Sequence, residues 1–391
     1  MTRQQSSLTR KLATVFAIGA LALAGCAGGG AGSAPSDGNG GADGAKKDIR
    51  VGVAMPTQVS ERWIADGNYV KEQLESKGYE VDLQYANDDI PTQTQQIDQM
   101  LTNGADVLVI ASIDGTALSS QLDAAAAANV PVIAYDRLIR DNKNVDFYVS
   151  FDNYKVGVAQ GIAMLNGLGL VDKNGKELPN RPEGPMNIEL FAGSPDDNNA
   201  SHFFKGAMDT LKPYFDDGTL VVKSGQKDFG QVAVLRWAQE GAQKRMEDLL
   251  TSAYSGGKKL QATVGGHDPM ARGIITALTG GGYGDTIEQG LPIVGGMDAD
   301  IASIKLIQDG VQHSTIFKDT RLLAEQAVVA VEAFANGKEP KANDTETYDN
   351  GVKVVPSYLL ESQTIYQDNI KSVLIDSGYF TQDQVNKGVL N

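Results

Sequence analysis

The 391-residue chain has one cysteine, three histidines and two tryptophans. A single cysteine permits no intramolecular disulfide and no cysteine-built metal site. The histidines, His202, His267 and His313, form neither an HExxH motif nor a close pair, so the usual metallohydrolase pattern is missing. There is no GxSxG or Walker A string, and no cofactor or metal is expected. Basic residues are also short, 34 against 49 acids, for a formal net charge of −15. So acidic a surface repels phosphate backbones and anionic headgroups, which argues against nucleic acid and peripheral membrane surfaces as partners. Past residue 25 there is no apolar run of spanning length, no heptad seam and no 20–50-residue repeat.

What is present begins with an address. Arg3, Arg10 and Lys11 precede the apolar run Leu12–Ala24, whose 13 residues suit a signal peptide, whereas a spanning helix needs about 20. The run ends in Leu23-Ala24-Gly25-Cys26, which resembles the lipobox of bacterial lipoproteins. That resemblance implies cleavage before Cys26, diacylation of Cys26 and loss of residues 1–25, leaving a net charge of −18. Two acyl chains anchor stably where one does not. Residues 26–47 then form the acylated cysteine and a Gly/Ala/Ser/Asp linker that cannot bury a core, spanning on the order of 25 Å as a flexible coil. The expected location is the outer face of the cell membrane, with the lipid as the only membrane contact.

From Asp48 onward, short β-branched runs alternate with longer helical patterns. The runs are Ile49–Met55, Val81–Tyr85, Val107–Ile110, Val130–Ala134, Val145–Phe151, Asn187–Phe191, Leu220–Val222, Ala262–Val264, Ile293–Val294 and Thr315–Phe317. Helical stretches include Arg62–Lys77, Thr92–Thr102, Thr116–Ala128 and Gln231–Leu250. Continuous apolar runs point to strands covered on both faces, and their alternation with helices to two doubly wound parallel α/β sheets. Ligands of such sheets bind beyond the carboxyl ends of the strands. Those ends carry carboxylates, amides, Arg, Lys and an aromatic, a set suited to a neutral ligand rich in hydroxyl groups.

The segments VGVAMPT, SERWIADG, VIAYDRLIRD, SFDNYKVG, NIELFAGSPDDNNA and STIFKDTR resemble bacterial periplasmic multiple-sugar-binding proteins, with the xylose-binding proteins as near relatives. The likeness covers essentially all of 48–391. It implies two lobes joined by three crossovers, divided as 48–150 plus 318–353 and 151–317 plus 354–391. It implies high-affinity binding of an aldose monosaccharide between the lobes and delivery to an ABC importer, without catalysis. Carried over motif by motif, the sugar contacts are Arg62 and Trp63 of ERW, Asp136 and Arg137 of YDR, Asp197 and Asn199 of SPDDNNA, Asp298 and Lys318. Two places depart from the family pattern, Met297 where an amide is usual and His267 where an Asn is usual; both bear on which sugar is bound.

Each residue also has a plainer reading. Trp63 shares a helical stripe with Gly67, Val70 and Leu74 and reads as core on periodicity alone. Arg62 sits where a helix N-terminus disfavours a cation, a mild conflict that points to function. Asp197 and Asn199 suit helix capping as well as sugar contact. His267 stands between hydrogen-bonded scaffold and ligand contact. Trp237 reads as packing, and Phe229 as core rather than a sugar-stacking face. Asp172-Lys173-Asn174-Gly175 lacks the ligand series of a calcium loop and reads as a tight turn. Paired cleft carboxylates would equally serve an exported sugar-processing enzyme of glycosidase type. A chemoreceptor is a further candidate partner beside the permease, and a monomer is expected.

Overall fold

The computed structural model describes residues 49–257 and 259–390; the leader, Cys26 and the linker lie outside the described residues. The ten apolar runs supply β1 (Arg50–Met55), β2 (Glu80–Tyr85), β3 (Val107–Ile110), β4 (Val132–Tyr135), β5 (Phe147–Phe151), β6 (Met186–Leu190), β7 (Leu220–Val222), β8 (Ala262–Val264), β9 (Ile293–Met297) and β10 (Ser314–Phe317). Two further strands follow, β11 (Ser357–Leu360) and β12 (Gln363–Ile365). They form two six-stranded sheets, ordered β11-β5-β4-β3-β1-β2 and β12-β10-β9-β8-β6-β7. The first sheet is parallel throughout; the second is parallel except for its antiparallel edge strand β12. Every residue of β3, β4 and β5 is buried, because helices cover both faces.

The chain passes between the lobes three times, at Asp152, at Lys318-Asp319 and at Glu361-Ser362. The first two passages end in helix caps. Asp152 accepts a hydrogen bond from the Lys155 amide (3.1 Å) and Asp319 from the Arg321 amide (3.0 Å). Each cap starts a helix, Asn153–Gly167 or Thr320–Ala335, on its new lobe, satisfying an amide that a helix start leaves unpaired.

Two expectations are corrected. Residues from 354 onward do not all belong to the second lobe, because β11 pairs in parallel with β5, from Ser357 opposite Tyr148 to Leu360 opposite Phe151. It covers the backbone edge that β5 would otherwise leave open, and the third passage comes only after it. The stretch Gln231–Leu250 is not one helix. It divides into Phe229–Val232, a 3-10 turn at Leu235–Trp237 and Gln239–Ser252. The carbonyl of Val232 and the amide of Val234 are both engaged by Ala192 (2.9 and 3.0 Å), which draws the backbone out of the helix. Arg236 and Trp237 then turn through left-handed conformations, φ 56° and 55°.

Candidate functional site

The strand ends of both lobes converge on one cavity of about 390 Å³. Arg62, Trp63, Asp136, Arg137, Asp197, Asn199, His267, Asp298 and Lys318 all line it. They arrive from the first turn of helix Glu61–Ser76, from the ends of β4, β6, β8 and β9, and from the second interlobe passage.

On the first lobe, Arg62 is buried and surrounded by acids. Its Nε donates to Asp66 one turn along (3.0 Å), one Nη donates to Asp136, and the other lies 3.5 Å from Asp298 of the second lobe. The conflict of a cation at a helix start is thereby offset by three carboxylates. Trp63 is both core and wall. It packs into the first lobe's apolar cluster while the guanidinium groups of Arg62 and Arg137 sit 4.7 and 5.1 Å from its ring centre.

Asp136 turns off β4 with φ 60°, and Asp298 leaves β9 with φ 91°. Non-glycine residues rarely take such conformations, and they cluster where a site over-determines the backbone. Here the compensation is visible at Asp136, whose carbonyl accepts from Ser150 Oγ (2.8 Å), Asn199 Nδ2 (2.8 Å) and the Tyr148 hydroxyl (2.7 Å).

On the second lobe, Asp197 caps helix Asn198–Asp216 through the Asn199 amide (2.9 Å). Its other oxygen faces Arg137 of the first lobe (3.1 Å) and accepts from Trp237 Nε1 (3.2 Å). The Asn199 side chain lines the cavity with its amide already engaged between the lobes. Lys318, only 2% exposed, ion-pairs with Asp298 at 2.9 Å. His267 packs against Trp237 with ring centres 5.3 Å apart, and its Nδ1 is buried without a protein partner.

These placements set the charge states. Burial pushes the Asp298 carboxyl up, but Lys318 and Arg62 prevail and hold it at about 2. Asp136 likewise lies below its ordinary value, burial being outweighed by Arg62 and Lys318. Burial raises Asp197 despite Arg137. Burial lowers His267 to about 3, so its imidazole is neutral at physiological pH. The cavity thus offers cationic donors and anionic acceptors side by side, able to meet vicinal hydroxyl groups from both directions.

Sequence reasoning missed four contributing residues. Trp237 lines the cavity rather than merely packing, because the helix break turns it inward. Gly193 permits this seat: a Cβ there would lie 2.0 Å from the Trp237 ring. Asp66, fully buried, accepts from Arg62 and from the Tyr135 hydroxyl; the Arg62/Asp66 spacing of one helical turn was the available signal. Asp300 and Arg272 form an ion pair (3.2 Å) on the wall. Phe229 packs edge-on against Phe204, outside the cavity.

Residues 51–339 match the family model described as a periplasmic binding protein domain. The chain belongs to the periplasmic binding protein family. It is 54% identical over 335 residues to the multiple sugar-binding periplasmic receptor ChvE of Rhizobium radiobacter, covering 86% of this chain and 92% of that one. The D-xylose-binding periplasmic protein of Escherichia coli (strain K12) is 37% identical over 339 residues, covering 87% and 93%. Among solved structures, an ABC transporter solute binding protein from Clostridium phytofermentans with bound beta-D-glucose aligns with a TM-score of 0.80 at 48% identity, covering 86% of this chain and 99% of that one. In this periplasmic binding protein the nine residues are among those that line one cavity between the lobes.

Proposed function

We propose that the chain is an exported receptor that encloses one aldose monosaccharide between its lobes and delivers it to an ABC importer. The observation that carries this reading is the convergence of all nine residues on one cavity, with the chain's two tryptophans, one from each lobe, in its walls. Aromatic walls suit the apolar face of a pyranose, while Arg62, Arg137 and Lys318 donate to its oxygens and Asp136, Asp197 and Asp298 accept from its hydroxyls. His267, neutral and with Nδ1 free, exchanges a hydrogen bond with a further hydroxyl, and Asn199 fixes the cleft floor beside it.

A micromolar constant corresponds to about −8.2 kcal/mol, or roughly −0.7 kcal/mol for each of a hexose's about twelve heavy atoms, within the ceiling of about −1.5 for very small ligands. A thermal-shift screen of pentoses and hexoses followed by calorimetry tests the assignment. Dissociation constants no better than about 1 mM for every sugar would remove it.

The receptor leaves its sugar unchanged. Its matched relatives are named as a sugar-binding receptor and a binding protein, and Asp136 and Asp298 are held ionised by Arg62 and Lys318, so neither serves as a proton donor. Recovery of unaltered sugar after prolonged incubation checks this. Cys26 carries the lipid that retains the protein at the membrane; a Cys26→Ser chain should be released from cells and lose incorporation of a labelled fatty acid. The importer's permease reads the closed form of a monomeric receptor, and a chemoreceptor is a second candidate reader.

A further inference from the structure

A second cavity, of about 290 Å³, lies behind Arg62 and Asp298. One side is helix Glu61–Ser76, through Ala65 and Tyr69; the other is the C-terminal segment, through Tyr379, Phe380, Gln384 and Leu390. Glu61, Arg62, Asp298 and Asp300 line both cavities, so the two share a wall.

That wall differs along its length. Arg62 and Asp298 hold one part together as an interlobe ion pair. Elsewhere it presents Glu61 from the first lobe and Asp300 from the second, two carboxylates that repel and cannot close the seam by pairing. Asp300 is committed instead to Arg272. Burial, opposed by Arg272 but assisted by the charges of Asp298 and Glu61, pushes Asp300 up to about 6.

We propose that the outer cavity is a subsite for a second sugar ring, so that the receptor accepts short glycosides whose linkage passes between Glu61 and Asp300. The proposal rests on the inner cavity being a sugar site. Two facing acceptors suit the hydroxyl donors that flank a glycosidic oxygen, which itself needs no donor from the protein. Beyond them the wall is lined by Tyr69, Tyr379 and Phe380, with Gln384 held beside them, its Oε1 accepting from the Thr381 amide (2.8 Å) and its Nε2 donating to the Leu390 carbonyl (2.7 Å). The aromatic side is pre-organised: the Tyr379 hydroxyl lies 3.2 Å from Thr320 Oγ1, and its ring is wedged between Phe317 (4.7 Å) and Arg321 (5.0 Å). Each cavity is near the lower end of ligand-pocket sizes, about 300 Å³, so each suits one ring rather than two.

Calorimetry on the folded mature chain would compare D-glucose and D-xylose with cellobiose, maltose and xylobiose. At least one disaccharide is expected to bind within tenfold of the best monosaccharide. Ala65→Trp, which fills the outer cavity from the helix, should weaken that disaccharide tenfold or more while monosaccharide affinity stays within twofold. Leu390→Trp, at the half-exposed C-terminal rim, should act in the same direction and decides the matter if Ala65→Trp does not fold. Monosaccharide binding with every disaccharide weaker than about 1 mM overturns the outer subsite and leaves the inner site standing. Disaccharide affinity unmoved in the folded variants also overturns it. Binding of neither size removes the inner-site reading and the outer subsite with it.

Discussion

Asn199 of the second lobe donates its side-chain amide to the main-chain carbonyl of Asp136 in the first, at 2.8 Å. Its Oδ1 lies 3.0 Å from both the Tyr148 hydroxyl and Asn153 Nδ2, so a buried polar knot ties the two lobes beside the first passage at Asp152. Removing the amide takes one buried partner from both the Asp136 carbonyl and Asn153 Nδ2, which keeps only the Tyr148 hydroxyl (3.1 Å) and Ser150 Oγ (3.5 Å), and lost buried hydrogen bonds of this kind cost about 1–3 kcal/mol together. Asn199→Ala should therefore lower the urea unfolding free energy by that amount and weaken sugar binding through a loosened Asp136. Unchanged stability would show that the knot is dispensable.

Asp298→Ala should weaken monosaccharide binding about tenfold or more, because sugar hydroxyls lose a buried acceptor worth about 1–3 kcal/mol. It should also lower the melting temperature of the unliganded protein, since Lys318 is left buried without its partner at 2.9 Å. Asp298→Asn keeps the shape and should fall between. Calorimetry and melting on the same samples separate the two effects, and an unaltered affinity in both variants would take Asp298 out of the binding set.

Both tryptophans report on the cleft. Trp63 touches two arginines and Trp237 donates to Asp197, so sugar entry alters the surroundings of each. Trp63→Phe and Trp237→Phe should each retain part of the sugar-dependent fluorescence change, read at saturating ligand. Full retention in either single variant would place that ring outside the responding site.

The lobes should move as bodies about the passages at Asp152, Lys318-Asp319 and Glu361-Ser362. A ligand bridging both lobes binds the closed arrangement more tightly and shifts the population toward it. Solution scattering should give a smaller radius of gyration with saturating sugar. Superimposable curves with and without sugar would sink hinge closure even if binding itself survived.

The two buried histidines should subtract stability on acidification, against the opposite pull of Asp66 and Asp300, whose carboxyls burial raises to about 7 and about 6. Burial lowers His313 to about 4 and His267 to about 3, against an ordinary value of 6.5. The unfolded chain takes up these protons first, so the contribution is complete above about 6.5 and is lost as pH falls toward the folded values, by up to about 1.4 kcal/mol per pH unit for each imidazole. His313→Gln, outside the cavity, should flatten part of the slope between pH 6.5 and 4 without affecting sugar affinity at pH 7. An unchanged slope in urea titrations across that window would refute the assignment to His313.

The strands most legible in the sequence were those buried on both faces, since Val107–Ile110 and its neighbours can be nothing but apolar. The two missed strands are edge strands. Ser357–Leu360 has one fully buried residue and Gln363–Ile365 also one, too little patterning to separate them from loop. Most of the candidate site could be read because it lies just past strand ends and carries motif residues. Trp237 could not, because its direction depends on Ala192 taking the backbone groups of Val232 and Val234, a contact some forty residues distant in sequence. No proline marks that break, and the flanking residues have ordinary helical patterning.

The pairing of β11 with β5 has a consequence for assembly. Ser357 meets Tyr148 only after the 208 intervening residues have been made, and these include the five strands β6–β10 and most of the second lobe. A chain crossing a membrane N-terminus first therefore presents β1–β5 long before helix Thr320–Ala335 and β11 arrive to cover them. The lobe that begins the sequence waits longest for its closing strand; the second lobe's late pieces, β12 and the core residues Ile370–Val385, follow directly on five strands of its sheet made within one uninterrupted stretch, 186–317. Such distant closures are slow and leave apolar surface and a sheet edge open meanwhile. The early-made half is thus the one in need of protection during export.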